Sequence, residues 1–277
     1  MIMTVCTDDI ASLEKEAKEV RKDSLKLIHQ AGSGHPGGSL SGADILTALY
    51  FGGIMKYDSN NPKDPSRDRF VLSKGHVTGL LYTVLSRAGF FPKEDLAGYR
   101  KINSESNLSG HPHPKTPGVE IATGSLGQGL SVANGIALSA RLDNLNFKVY
   151  CLLGDGELQE GQVWEAAMSA QKFKTNNLVA IVDFNKVAQD NITKDLKDLE
   201  PLEEKWASFG WEVIRIDGHN MAEVMGALQK PLDATRPRVI IADTVKGKGV
   251  SFMEGKTAWH GVAPGDEDLE RALKELE

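Results

Sequence analysis

Two apolar stretches, each running into glycine or polar residues, decide the fold. Residues 149–157 read VYCLLGDGE, and residues 178–185 read LVAIVDFN. Each stretch begins with five consecutive apolar residues, which is typical of a strand buried on both faces. Such strands lie parallel in one sheet, so the polar groups that follow them can lie at the same edge. The two stretches therefore predict a parallel sheet with Asp155 and Asn185 at its carboxyl edge.

Further strands and helices alternate along the rest of the chain. Apolar runs at 212–217 and 239–243 predict two more strands. Apolar residues at helical spacing predict helices over the following ranges: 10–32, 41–52, 162–173, 202–209, 221–232 and 266–277. Residues 185–201 are the most polar segment and are predicted to form a surface loop. This alternation predicts an α/β fold, a parallel sheet with helices on both faces, in one domain spanning 1–277.

Composition excludes several classes of protein. The chain has 277 residues with 32 basic and 38 acidic side chains, and this net charge of −6 argues against binding to nucleic acid or to a membrane surface. No apolar run approaches the roughly 18 residues of a membrane span. Residues 1–20 lack the basic start and cleavage site of a signal peptide. Cys6 and Cys151 form no C-x-x-C pair, which favours a reduced, cytoplasmic protein.

Two glycine-rich segments resemble nucleotide-binding motifs but fail on context. Residues 32–37 satisfy G-x-G-x-x-G, yet they follow a helix rather than a strand, and Pro36 removes a backbone donor. Residues 249–257 lack the spacing of a Walker A loop. The sequence therefore predicts neither a dinucleotide site nor a P-loop.

Histidines are concentrated at turns. Six of the seven are adjacent to Gly or Pro: His35, His76, His111, His113, His219 and His260. On loops their imidazoles can reach a ligand, although solvent-facing turn residues are the alternative interpretation for each of them. Their spacing does not match a histidine zinc site.

Asp155 and Asn185 predict a metal site. A carboxylate and an amide oxygen leave Mg²⁺ several positions that diphosphate oxygens can complete. Gly154 and Gly156 allow the backbone to approach phosphates closely, and the helix that follows offers its N-terminus to an anion. The alternative is that these are two ordinary polar turns at strand ends.

These motifs resemble those of the transketolase family, whose members use thiamine diphosphate. Besides GDG at 154–156 and the downstream Asn185, the resemblance rests on SGHPGGSLS at 33–41, LSKGH at 72–76, GHP at 110–112, TGSLGQG at 123–129, KGKGVSFME at 246–254 and WHG at 259–261. It covers nearly the whole chain. It implies the diphosphate-binding fold of thiamine-diphosphate enzymes, with no pyrimidine-binding domain in this chain.

The resemblance also implies roles for particular residues. Asp155, Asn185 and the backbone carbonyl of Val187 would ligate Mg²⁺, with Ca²⁺ or Mn²⁺ as substitutes. The catalytic residues lining the substrate channel would be His35, His111 and His260. The following residues would contact thiamine diphosphate: His76, Gly124, Ser125, Leu126, Gly154, Gly156, Asn185 and His260.

The implied activity is transfer of a two-carbon ketol unit from a ketose to an aldose. In the family, a second domain supplies the glutamate that protonates the cofactor's pyrimidine ring. The resemblance therefore implies a separate C-terminal partner subunit, in an α2β2 assembly, with sugar-phosphate or related anionic sugar substrates. Glu160 resembles a glutamate near the family's subunit interface, although a solvated glutamate in the first turn of a helix is the alternative.

Local departures and alternatives remain. Phe184 separates Asp183 from Asn185 where the family often has consecutive D-N or N-N. Asn191 follows Asp190 where Gly is usual, and His113 replaces a frequent acidic residue.

Other thiamine-diphosphate enzymes, namely a 2-oxoacid dehydrogenase E1 component or a deoxyxylulose-phosphate synthase relative, share the G-D-G and Asn pair. A cofactor-binding partner without catalysis is the non-enzymatic alternative. Pentose-phosphate ketoses are the default substrates, with modified anionic sugars as the other option.

Overall fold

Five parallel strands form one sheet in the computed structural model, which describes residues 8–277. The strands are β1 (Arg69–Leu72), β2 (Val149–Gly154), β3 (Leu178–Phe184), β4 (Glu212–Asp217) and β5 (Arg238–Asp243). Their order across the sheet is β1-β2-β3-β5-β4, so β3 is the central strand. Residues 1–7 lie outside the described part of the chain. They include Cys6 and the start of segment 1–20, on which the signal-peptide prediction rests.

The four predicted strands are confirmed within one residue at each end, whereas β1 was not predicted. It has only four residues, begins with an arginine and has one strand neighbour, β2. Its pairing with β2 runs from Arg69 opposite Val149 to Leu72 opposite Leu152. An edge strand this short carries too little periodicity to be recognised from sequence.

Ten α-helices surround the sheet in the described residues. They are α1 (Ile10–Ala31), α2 (Pro36–Ser41), α3 (Ala43–Phe51), α4 (Thr78–Arg87), α5 (Gly129–Leu142), α6 (Gly161–Lys172), α7 (Thr193–Leu196), α8 (Leu202–Ser208), α9 (Met221–Gln229) and α10 (Asp266–Glu275). Short 3-10 helices span Lys93–Gly98, Gly156–Gln159 and Thr257–Trp259. All six predicted helices are present, with α9 ending three residues earlier than expected.

Alternate residues of each strand pack into two separate cores. Leu152 and Ile181 face the core formed with α1, α3, α4 and α9, whereas Leu153 and Val182 face the core formed with α5, α6 and α8. This arrangement confirms the predicted fold, in which helices cover both faces of a parallel sheet. Cys151 is a free, fully buried thiol in β2, and burial raises its pKa. The cytoplasmic location stays a prediction.

The segment 185–201 departs from the predicted surface loop. It contains α7, a bridge between Val187 and Ile192, and buried side chains at Val187, Thr193 and Leu199. It folds inward because the Lys186 amide and the Thr193 hydroxyl hydrogen-bond to Asp155, just after the end of β2. Among the described residues, no helix is long and apolar enough to cross a bilayer.

We expect the central strand to dominate stability. Ile181 is 1% exposed between β2 and β5, so Ile181→Ala should lower the free energy of unfolding by about 2–5 kcal/mol through lost burial and a residual cavity. Urea unfolding followed by circular dichroism measures this loss. Ile102→Ala is the matched control, since Ile102 is 92% exposed and should change stability by at most about 0.5 kcal/mol. Equal losses of stability in the two variants would contradict the placement of Ile181 in the buried central strand.

Candidate active site

A cavity of about 250 Å³ opens at the carboxyl ends of β2 and β3, where ligands bind in open α/β sheets. The register of the two strands places Gly154 opposite Asp183, so the residues that follow each strand meet at this edge. The lining includes these residues proposed above for metal or cofactor: His76, Leu126, Gly154, Asp155, Gly156, Asn185, Val187 and His260. Tertiary structure thus brings together residues from five separate motifs.

Asp155 is the buried carboxylate of the cavity. It is 3% exposed and accepts hydrogen bonds from the backbone amide of Gly156 at 2.8 Å, from the amide of Lys186, and from Thr193 Oγ1 at 3.1 Å. Burial raises the pKa of Asp155, and the negative charge of Asp183 raises it further. A bound cation would offset both effects, so this environment favours a metal ion beside the carboxylate.

Asn185 and Val187 add neutral oxygens to the same cavity. Asn185 Oδ1 accepts a hydrogen bond from the Val187 amide at 3.2 Å, and its Nδ2 donates to Ser41 Oγ at 3.4 Å. The Val187 carbonyl accepts from Lys246 Nζ at 3.0 Å. A set of one carboxylate, one amide oxygen and one carbonyl suits a hard cation such as Mg²⁺. Between residues 8 and 277, no group of three or more His, Cys, Asp or Glu side chains could hold a metal in its place.

Two buried lysines were missed by the sequence analysis. Lys74 Nζ pairs with Asp183, which is fully buried and also accepts hydrogen bonds from Ser41 and Thr244. Burial alone would raise the pKa of Asp183, but Lys74 and these two hydroxyls lower it below its usual value. Burial and the charge of Lys74 lower the pKa of Lys246 to about 8.

Both lysines carry positive charge to the edge where an anion would lie. Lys246 Nζ donates to the carbonyls of Val187 and Ala188 at 3.0 and 2.9 Å and lies 2.9 Å from His260 Nδ1. The sequence feature that could have identified these lysines was their position just after a strand, since Lys74 comes two residues after β1 and Lys246 three residues after β5. Apolar periodicity carries no information about a charged residue just beyond a strand.

Glu157 was also missed, and it connects three of the glycine-rich turns. Its buried carboxylate accepts hydrogen bonds from the amides of Gly127 and Gly154, at 2.8 and 3.0 Å, and from Ser73 Oγ. Burial raises the pKa of this carboxyl despite those bonds. Glu157 therefore holds the G-D-G turn against the L-S-K-G-H and T-G-S-L-G-Q-G turns.

Three histidines form one cluster above the cavity. Ring centroids are 5.0 Å apart for His35 and His76, and 5.3 Å apart for each of the other two pairs with His260. Burial and neighbouring positive groups lower the pKa of His35 to about 4 and that of His260 to about 3, and burial followed by Lys74 lowers the pKa of His76 as well. All three imidazoles are therefore neutral near pH 7, able both to donate and to accept a hydrogen bond.

His111 lies against the T-G-S-L turn. A Cβ added to Gly124 would lie 2.5 Å from the His111 ring, and the φ of Gly124 is +135°, so glycine is required there. Ser125 is exposed beside it, and Leu126 is 36% exposed at the cavity wall. This places the proposed pyrimidine-contacting turn next to a proposed substrate histidine.

Other singled-out residues lie outside this cluster. His113 accepts a hydrogen bond from the nearby Lys115 amide, and His219 bonds to Asp44 and to the Val245 amide, so both serve local structure. Glu160 is an exposed residue at the start of α6. Its role at a subunit interface stays a prediction.

The fold and the cavity define an α/β domain with a polar cavity at the carboxyl edge of its parallel sheet. Residues 13–276 match the family model described as "Transketolase, thiamine diphosphate binding domain", and the chain belongs to this family. The sequence-based identification of a transketolase-type, thiamine-diphosphate-binding domain is thereby confirmed.

Relatives of two lengths match the chain. It is 45% identical over 267 residues to "6-deoxy-6-sulfo-D-fructose transketolase subunit SqwG" of Clostridium sp., covering 96% of each. It is 41% identical to an apulose-4-phosphate transketolase subunit of Phocaeicola vulgatus, covering 96% of this chain and 94% of that one. The solved transketolase of Campylobacter jejuni matches with a TM-score of 0.89 and 35% identity, over 96% of this chain but 43% of the other. The chain thus spans about two fifths of that full-length enzyme.

We expect the ion pair between Lys74 and Asp183, beneath the cavity, to contribute strongly to stability. Lys74→Met leaves the carboxylate of Asp183 buried without its cation, so the free energy of unfolding should fall by about 3–5 kcal/mol. Thermal and urea unfolding measure the loss. Lys63→Met, at an exposed lysine, is the control and should have little effect. A loss below about 1 kcal/mol in Lys74→Met would contradict the role given to this pair.

Proposed function

We propose that this chain is the N-terminal, cofactor-binding subunit of a two-subunit transketolase. With a separate C-terminal subunit, in an α2β2 assembly, it transfers a two-carbon ketol unit from an anionic ketose to an aldose. The observation that carries the proposal is the cavity itself, where Asp155, Asn185 and Val187 lie beneath a cluster of neutral histidines.

The metal and cofactor roles follow from the donors that the cavity presents. Asp155 Oδ, Asn185 Oδ1 and the Val187 carbonyl would hold Mg²⁺, for which Ca²⁺ or Mn²⁺ could substitute. Gly154 and Gly156 would face the diphosphate, and Lys246 would add its positive charge after leaving the carbonyl that it now contacts. Once bound, thiamine diphosphate supplies the nucleophilic carbon and the electron sink for C–C bond cleavage.

The chain's own side chains orient the sugar and manage its protons. His35, His111 and His260 would contact the sugar hydroxyls, and a neutral imidazole can accept a proton from one hydroxyl and return it later. His76 would pack beside the cofactor, stacked on His260 at 5.3 Å. Gly124, Ser125 and Leu126 would present their turn to the aminopyrimidine ring.

The proposed partner is supported by the relatives and by the surface around the cavity. Two relatives that the chain covers over 94% and 96% of their length are named as transketolase subunits, whereas the human transketolase is covered over only 42% of its length. Leu126, Ile192 and Leu196 are each 36–43% exposed around the carboxyl edge of the sheet. These apolar side chains suit a covering subunit that would also close the site to water.

The substrate proposal extends to modified sugars. The subunit relatives are named for apulose-4-phosphate and for 6-deoxy-6-sulfo-D-fructose, which share an anionic group on a sugar. Pentose-phosphate ketoses are the default donors in our proposal, and these two sugars are the alternatives. We place recognition of the anionic group on the partner subunit.

Reconstitution tests the function directly. The chain should be inactive alone with thiamine diphosphate and Mg²⁺, and it should gain ketol transfer when mixed with its proposed C-terminal partner subunit. With an aldose phosphate present to accept the two-carbon unit, the shortened aldehyde or ketone left from the donor would be followed by coupled reduction for a panel of donors: xylulose-5-phosphate, apulose-4-phosphate and 6-deoxy-6-sulfo-D-fructose. Full activity of the chain alone would refute the two-subunit proposal. Cofactor binding without turnover in the complex would favour a non-catalytic binding partner.

A second experiment tests the metal ligands. Asp155→Asn removes the charged ligand, so the affinity of the complex for Mg²⁺ should fall by at least about tenfold, measured by titration calorimetry with thiamine diphosphate present. Asp190→Asn is the matched control, because Asp190 is an exposed carboxylate of the same cavity outside the proposed ligand set. Equal losses in both variants would show that general acidity of the cavity, rather than the assigned ligand, holds the metal.

A further inference from the structure

Arg100 has an unusual backbone conformation beside the histidine cluster. Its φ is +56°, in the left-handed region that non-glycine residues rarely adopt. The Arg100 amide donates to the Leu108 carbonyl at 2.8 Å, which closes the loop 100–108. Strained residues of this kind persist where surrounding contacts determine them, and they are concentrated at functional sites.

The guanidinium of Arg100 connects two turns that carry proposed substrate histidines. Its Nη1 donates to Ser33 Oγ at 2.7 Å, and its Nη2 donates to the Gly110 carbonyl at 3.4 Å. Ser33 precedes His35 by two residues, and Gly110 immediately precedes His111. A single planar group is therefore hydrogen-bonded to the S-G-H-P turn and to the G-H-P turn, which are far apart in sequence.

A rigid support fixes the guanidinium in this position. Its Nε donates to the Tyr99 hydroxyl at 3.2 Å, and that hydroxyl lies 3.0 Å from Thr78 Oγ1. Thr78 Oγ1 in turn donates to the Gly110 carbonyl at 3.0 Å. Tyr99 is 2% exposed and Thr78 is fully buried, so this support belongs to the core.

The glycine of the G-H-P turn is explained by the same contact. A Cβ on Gly110 would lie 3.1 Å from Arg100 Cζ, which is tighter than an ordinary van der Waals contact. Glycine at this position lets the turn carrying His111 approach the guanidinium. The close approach is a property of the pair and does not depend on a bound ligand.

We propose that Arg100 is a positioning residue that holds His35 and His111 in their relative orientation for the sugar substrate. This inference deepens the proposed transketolase function and rests on it for the identity of the substrate. Lysine cannot replace Arg100, because an ammonium group lacks the planar fork needed to donate along three fixed directions to Ser33, Tyr99 and Gly110.

Electrostatics adds a second consequence. Burial is the largest cause that lowers the pKa of His35 to about 4, and the charge of Arg100 is the next. Four other charged or titratable groups surround His35. His111 and Lys246 also lower its pKa, and His76 and His260 are the ring neighbours of His35. Arg100 therefore also favours the neutral imidazole at His35.

The first test observes the histidines without turnover. Long-range ¹H–¹⁵N spectra of the full chain, labelled at histidine, would be assigned with His35→Gln and His111→Gln variants. In Arg100→Gln we expect both ring resonances to shift and the midpoint of His35 to rise above about 4. In Arg100→Lys the charge remains, so the resonances should shift while the midpoint stays low. Arg236→Lys, at an exposed arginine paired with Asp233, is the matched control and should change neither ring.

The second test measures catalysis by the reconstituted complex. Arg100→Lys should lower kcat/KM for the ketose donor by about 10- to 100-fold, because misplacing groups by a fraction of an ångström to an ångström has effects of this size. Affinity for thiamine diphosphate should not change. Ser33→Ala, which removes only the acceptor of the 2.7 Å bond, should give a smaller loss in the same direction and is the milder variant if Arg100→Gln fails to fold.

The outcomes separate this inference from the function on which it rests. Unchanged His35 and His111 resonances in both Arg100→Lys and Ser33→Ala would overturn the positioning role. An equal loss of kcat/KM and of cofactor affinity in Arg100→Lys would also overturn it, since that pattern indicates general disruption of the site. If the wild-type pair shows no ketol transfer, the proposed function fails, while the spectra still decide whether Arg100 positions the two histidines.

Discussion

The ion pair between Lys74 and Asp183 is the constraint on which the site depends. Asp183 lies near the end of β3 with no solvent exposure, so its charge must be neutralised inside the protein. Lys74 comes from the turn after β1, and the hydroxyls of Ser41 and Thr244 come from α2 and from the end of β5. Satisfying one buried carboxylate therefore brings four separate segments to the same point beneath the cavity.

The cavity above this ion pair contains both charged side chains and neutral histidines. Asp155 is buried with a raised pKa, and Lys246 donates hydrogen bonds to the carbonyls of Val187 and Ala188 in the same cavity. The clustered histidines above them are neutral. A metal-bound diphosphate fits this arrangement, because its cation would satisfy the carboxylate and its oxygens would face the lysine. The net charge of −6 for the whole chain does not govern an anionic ligand, since local groups determine the potential inside a cavity.

Motifs and periodicity predicted much of this architecture. The apolar runs of β2 to β5 were recognisable because both faces of each strand are buried or half-buried, and the residues after β2 and β3 met at one edge as expected. β1 was not recognisable at four residues, and the inward fold of 185–201 was hidden by its polar composition. Glu157 was missed for a related reason, because a polar residue buried by hydrogen bonds looks in sequence like an exposed one.

The sequence by itself determined four of the five strands, six of the ten described helices, the glycine-rich turns, and the family to which the chain belongs. These features depend on residues close together along the chain, whose pattern of apolar and small side chains is local. Tertiary structure alone decided that Lys74 pairs with Asp183, that Lys246 reaches the Val187 carbonyl, and that Arg100 connects the turns of His35 and His111. Those contacts join residues distant in sequence, and their cause is the need to pair each charged or polar group that the fold removes from water.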